Sequence, residues 1–169
     1  MKRRVAYFPG STIGNPVPDR ARNFLRWIAG LCGTGGALLI GVDLKKDPAI
    51  LERAYNDHAG VTAAFNLNLL VRINRELGAD FNLDLFRHHA RYNPKEGRIE
   101  MHLVSIARQS VTIGNVEILF ERGETIHTES CYKYDLEGFR ALAAESGFRL
   151  EKQWTDDRQW FSVQYLTVC

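Results

Sequence analysis

Little in this chain of 169 residues would staple it covalently or carry it into a membrane. Its three cysteines, Cys32, Cys131 and Cys169, are odd in number and widely spaced, which fits reduced thiols in a cytosolic protein better than a disulfide frame or a zinc site. The longest apolar stretches are broken by glycine or polar residues well short of a membrane span, and Met1-Lys2-Arg3-Arg4 leads into a strand-like run rather than a signal-peptide core. A basic stripe is also missing: the net charge of +2 comes from interspersed signs, as at Lys45-Lys46-Asp47 and Arg75-Glu76, so nucleic acid is not the expected partner. No internal repeat or low-complexity segment interrupts the chain. These absences, with a hydrophobic fraction of 45% and a charged fraction of 25%, leave a cytoplasmic α/β protein that is long enough for a real core.

What is present begins with a hydrophobic strand. Val5, Ala6, Tyr7 and Phe8 read as a buried strand running into the glycine-punctuated loop Pro9-Gly10-Ser11-Thr12-Ile13-Gly14-Asn15. The loop at the carboxyl end of such a strand is where open α/β sheets bind ligands. Gly10 and Gly14 would let the backbone approach a bound molecule, and Ser11, Thr12 and Asn15 would supply short polar groups. The plainer reading is a tight strand-to-helix turn with Asp19 as the helix cap.

Apolar spacing at Ala21, Phe24, Leu25, Ile28 and Leu31 predicts an amphipathic helix that stops near Gly33, and the run Ala37–Val42 predicts a central parallel strand covered on both faces. Gly33-Thr34-Gly35-Gly36, between them, reads as a helix stop and turn. Asp47-Pro48 starts another helix, with a break at His58-Ala59-Gly60 dividing Ile50–Asp57 from Val61–Leu77. An antiparallel sheet is predicted from Phe86–Tyr92, Arg98–Ala107, Ser110–Ile113 and Val116–Phe120. A helix over Leu136–Ser146 and strands at Phe148–Trp154 and Phe161–Val168 complete the chain.

The runs FPGSTIGN, GALLIGVDLKKDP, YNDHAGVTAAFNLNLL, INRELGADF, GRIEMHLVS and ETIHTESCYKY closely resemble the histidine-specific methyltransferase family. Its best-known member uses S-adenosyl-L-methionine to trimethylate the α-amino group of L-histidine in ergothioneine biosynthesis. The resemblance covers nearly the whole chain but only the carboxyl-terminal part of the family's length. It implies a partial Rossmann-type methyltransferase sheet, at residues 1–46 and 135–169, with an inserted α+β substrate-binding region at 47–134. Methyltransferases of this kind hold the cofactor on a glycine-rich turn after strand one and an acidic residue ending strand two. No such pair precedes Tyr7, so the expectation is a truncated or split copy that lacks the main cofactor motif, is inactive alone and needs a missing amino-terminal half.

The resemblance also assigns substrate-binding residues. Gly10 and Asn15 match the glycine near the substrate and the asparagine that bonds its amino-acid end, Tyr55 matches the tyrosine that binds the carboxylate, and Met101 matches the methionine beside the imidazole. Glu129 matches the glutamate that accepts from one imidazole nitrogen. The family has a serine two positions later, where this chain has Cys131, with Ser130 one step earlier; residues two apart on a strand share a side, so Cys131 is the one placed with Glu129. A thiol is a weaker donor than a hydroxyl, so a related aromatic amino acid stays open as substrate. No catalytic acid or base is assigned. Core packing is the alternative for Tyr55 and Met101, and a non-catalytic amino-acid-binding remnant is the alternative for the whole chain. His88, His89 and His102 are read as ordinary or hydrogen-bonded histidines rather than metal ligands, and Cys32 and Cys131 as packing residues rather than nucleophiles paired with His127.

Overall fold

The structure, a computed structural model, describes residues 3–169. Its strands are β1 (Val5–Phe8), β2 (Ala37–Asp43), β3 (Phe86–Asn93), β4 (Arg98–Ser105), β5 (Gln109–Ile113), β6 (Val116–Phe120), β7 (Thr125–Tyr132), β8 (Phe148–Thr155) and β9 (Phe161–Val168). Its α-helices are α1 (Pro18–Cys32), α2 (Pro48–Tyr55), α3 (Val61–Leu77) and α4 (Leu136–Glu145). The chain divides into two compact units, one formed by the segments up to Lys46, Pro94–Arg98 and Ser130–Cys169, the other by Asp47–Asn93 and Ile99–Glu129.

The first unit is an α/β layer. Its sheet has the order β1-β2-β9-β8, with β1 parallel to β2 and both β2–β9 and β8–β9 antiparallel. Leu25 and Ile28 of α1, Leu38 and Ile40 of β2, and Phe139 and Leu142 of α4 meet in one core, which removes apolar surface from water on one face of the sheet. Strand β2 is central, as its unbroken apolar run predicts, although only one of its neighbours is parallel.

Three expectations need correction here. Strand β1 is not buried: it is the edge of its sheet, and Val5 and Tyr7 are 51% and 70% exposed, so an apolar run of this length does not distinguish an edge from a centre. Helix α1 starts one residue before Asp19, with Val17 at the cap and Pro18 in the first turn, and Asp19 instead accepts a hydrogen bond from Arg22 at 2.6 Å. A fixed φ and no N–H suit proline to that first helical position. Leu31 lies off the buried face, 53% exposed, because the stripe that packs runs through Ala21, Leu25, Ile28, Ala29 and Cys32.

In the second unit Asp47 caps α2 by accepting from the Ala49 N–H at 2.9 Å, and Gly60, at φ 72°, makes the left-handed break before α3. The predicted single antiparallel sheet is two: a three-stranded sheet of order β3-β4-β7 and a separate β5–β6 antiparallel hairpin. Phe81, Phe86 and Phe120 pack edge-on or tilted against one another under Leu70 and Leu103. Among the described residues no helix is long and apolar enough to cross a membrane.

Candidate functional site

The loop after β1 is a polar segment tied to its neighbours by hydrogen bonds. Ser11, held in the left-handed region at φ 55°, accepts through Oγ from the Asp43 N–H at 2.8 Å, which ties the loop to the carboxyl end of β2. A short 3-10 helix, Thr12–Gly14, follows, and Tyr134 Oη donates to the Ile13 carbonyl at 3.3 Å. Burial pushes the Tyr134 phenol up to about 12, so it stays a donor at any physiological pH. Gly14 then packs on the end of β7 so closely that a Cβ there would stand 2.6 Å from the Tyr132 carbonyl oxygen and 3.2 Å from Cys131 Sγ.

That contact changes the reading of the two glycines. The smallness of Gly14 is used against the protein's own backbone rather than left for a ligand. A Cβ at Gly10 would only touch Thr12 Oγ1 at an ordinary 3.6 Å. Anchored on both sides, the loop presents Asn15 to solvent, and its carboxamide makes no hydrogen bond to another described residue. Beside it lies an apolar cavity of about 230 Å³ lined by Phe8, Thr12, Ile13, Pro16, Arg20 and Phe24.

A charged network lies beneath this loop. Asp43, at the end of β2, takes Lys46 Nζ on one carboxylate oxygen at 2.5 Å and Lys133 Nζ on the other at 2.9 Å. The Lys133 side chain is fully buried, and its ammonium also donates to Cys131 Sγ at 3.0 Å. Neither Lys133 nor Asp43 was singled out from the sequence: they lie far apart in the chain, and Lys45-Lys46 looks like an ordinary solvated strand exit. Only the parallel alignment of Leu44 with Tyr134 brings these positions together.

Of the residues singled out from the sequence, Gly10, Asn15 and Cys131 belong to this first unit, and Tyr55, Met101 and Glu129 to the second. There, Tyr55 closes α2 and its ring packs in a small cluster with Leu51, Ala90, Ile99 and Met101, so these two are brought together. Glu129, on β7, is half-buried rather than enclosed, and its carboxylate makes no hydrogen bond or ion pair with another described residue. His88 is a hydrogen-bonded histidine, with Nε2 2.8 Å from the Tyr55 carbonyl and Nδ1 3.0 Å from Asn66 Nδ2. Buried His102 stacks on His127 at 4.8 Å between ring centroids; burial, above all, lowers its pKa.

Residues 1–168 match the family described as "Histidine-specific methyltransferase, SAM-dependent". The chain is 46% identical over 163 residues to the histidine N-alpha-methyltransferase of Mycobacterium tuberculosis, covering 95% of this chain and 51% of that protein. It is 47% identical over 156 residues to that of Mycolicibacterium smegmatis, covering 91% and 49% respectively. The chain therefore spans about half the length of the curated relatives it matches. Its fold is similar to that of the CcbJ methyltransferase of Streptomyces caelestis, with a TM-score of 0.52 and 11% identity over 100% of this chain and 63% of that one.

Proposed function

Because the chain belongs to the histidine-specific, S-adenosylmethionine-dependent methyltransferase family, we propose that it carries the substrate-binding side of an enzyme that methylates the α-amino group of L-histidine. The observation that carries this reading is the extent of the likeness to two histidine N-alpha-methyltransferases, which takes in 95% and 91% of this chain. In this reading Asn15 bonds the amino-acid end of the substrate, with Gly10 alongside. Tyr55 donates to the carboxylate, Met101 lies against the imidazole, and Glu129 and Cys131 meet its two nitrogens. The firmly anchored loop under Asn15 supports the first role, since a donor held by its own backbone loses little freedom on binding.

S-adenosyl-L-methionine supplies an activated methyl group, so the protein's task is alignment of a neutral amine with it. In this reading the cofactor is not gripped by the end of β2 or by the glycines before it. Each oxygen of Asp43, the acidic residue ending β2, takes a lysine of the chain itself, so its charge is already balanced without a ligand. The glycine cluster Gly33–Gly36 stands at the start of β2 rather than its end, where Gly36 packs against Cys32. We therefore place cofactor binding in the part of the relatives' length that this chain does not match, and assign these residues no step through it.

Mixing this chain with the unmatched half of the Mycolicibacterium smegmatis relative tests the proposal. Mass spectrometry should find methylated L-histidine when S-adenosylmethionine and both polypeptides are present, and none with either alone. Methyl transfer to histidine by this chain alone would overturn the placement of the cofactor. An inert mixture whose halves co-elute as a stable complex would overturn the substrate.

A further inference from the structure

Two side chains at the end of β7 share a close contact, and one of them is the Cys131 that the proposed reading sets against the substrate. Cys131 Sγ and Lys133 Nζ are 3.0 Å apart, both in buried residues, with the lysine side chain 0% exposed and fixed a second time by Asp43 Oδ2 at 2.9 Å. On the other side the sulfur faces the backbone of Gly14, where an ideal Cβ would be only 3.2 Å away. A nucleophilic sulfur and an amine held in register with little freedom form an intramolecular pair of high effective concentration.

We propose that Cys131 and Lys133 form a site of covalent oxidative cross-linking, in which one oxygen atom comes to bridge Sγ and Nζ. The oxidant is a peroxide, a molecule little larger than water, and Cys131 is 6% exposed as a residue. A first hydrogen peroxide converts the thiol to a sulfenic acid: an S–O bond forms, the O–O bond breaks, and one water leaves. Lys133 passes a proton to Asp43, whose Oδ2 is 2.9 Å away and whose side chain is partly open to solvent, and reacts as the neutral amine. A second peroxide takes one hydrogen from the sulfenic oxygen and one from the amine. The N–O bond forms, the second O–O bond breaks, and two waters leave. Four electrons in all pass from the sulfur–nitrogen pair to the two peroxides. A bridging oxygen suits the separation, because a direct S–N bond would need a much larger approach of two anchored atoms. The bridge removes both the thiol hydrogen and the ammonium charge, leaving Asp43 to Lys46 alone.

The test is mass spectrometry of the full chain before and after hydrogen peroxide, with remaining thiols alkylated under denaturing conditions before trypsin digestion. Cleavage after Lys133 should be lost, joining two peptides into one spanning Gly123–Arg140. Its mass should be raised by one oxygen less two hydrogens, it should resist alkylation, and a thiol reductant should restore the two peptides. A Lys133→Arg variant should lose the bridge and carry Cys131 on to the sulfinic acid. Normal cleavage after Lys133 in the oxidised wild-type chain, or a joined peptide lacking only two hydrogens, would overturn the proposal, whether or not the variant folds.

Discussion

Adding one methyl group at Gly14 should be far more damaging than adding it at Gly10, four residues earlier in the same loop. The backbone of Gly14 is outside the left-handed region, so alanine meets no conformational penalty there. The cost is steric: its Cβ would lie 2.6 Å from a carbonyl oxygen of Tyr132 and 3.2 Å from Cys131 Sγ, and the first of these is backbone that cannot rotate away. Overpacking of a filled interior typically costs about 1–3 kcal/mol, and an obstruction by backbone puts Gly14→Ala near the upper end. In a unit of this size, that corresponds to a fall in Tm on the order of 10 °C. Gly10→Ala, with its nearest neighbour at 3.6 Å, should stay within about 0.5 kcal/mol of the parent. Trp27, Trp154 and Trp160 all lie in the first unit, so tryptophan fluorescence during urea or thermal unfolding reports on that unit alone. Equal midpoints for the two variants would refute the idea that the loop is seated on β7 through Gly14.

Breaking the buried pair by Lys133→Met should destabilise the first unit by the lower part of the about 3–5 kcal/mol seen for buried ion pairs, because Lys46 still neutralises Asp43; the same fluorescence assay reads it. His102 is held below its ordinary 6.5 by burial and by the charge of His127, so the neutral ring is favoured on folding. Its contribution is complete above pH 6.5 and is lost as pH falls below it, which a pH series of circular-dichroism melts should show and His102→Gln should flatten. Asp57 is lowered from 3.8 to about 2 by the Thr62 side chain and by the N–H groups of Thr62 and Val61 at the start of α3. The support it gives α3 is full above pH 3.8 and fades as pH falls through about 2, so the protection of first-turn amides relative to an unstructured peptide at the same pH should fall over that range, and Asp57→Ala should show the reduced protection at pH 7.

Local rules carried much of the fold. The Asp47 cap, the break at Gly60 and the stop at Gly33 follow from short-range chemistry and appear where the residues place them. What could not be read is what depends on partners distant in the chain. Whether Val5–Phe8 is an edge is decided by the neighbours it pairs with, and the split of the expected antiparallel sheet is decided by β7 joining β4 in place of β5. The site shows the same division. The loop and its polar residues were visible as a motif, but the role of Gly14 depends on Tyr132, and the Lys133–Asp43 pair joins residues 90 positions apart. His88 shows the reverse case, in which the ordinary explanation suffices because Asn66 and the Tyr55 carbonyl engage both ring nitrogens.

The most direct measurement is amino-acid selectivity in a fusion of this chain to the half of the Mycolicibacterium smegmatis relative that it does not match, assayed as kcat/KM for methyl transfer to L-histidine and to an aromatic amino acid without an imidazole. Histidine should be turned over, Asn15→Ala should lose activity on both substrates, and Glu129→Gln should lose the preference for histidine. A folded fusion that ignores histidine, or a Glu129→Gln form with its preference intact, would contradict this expectation.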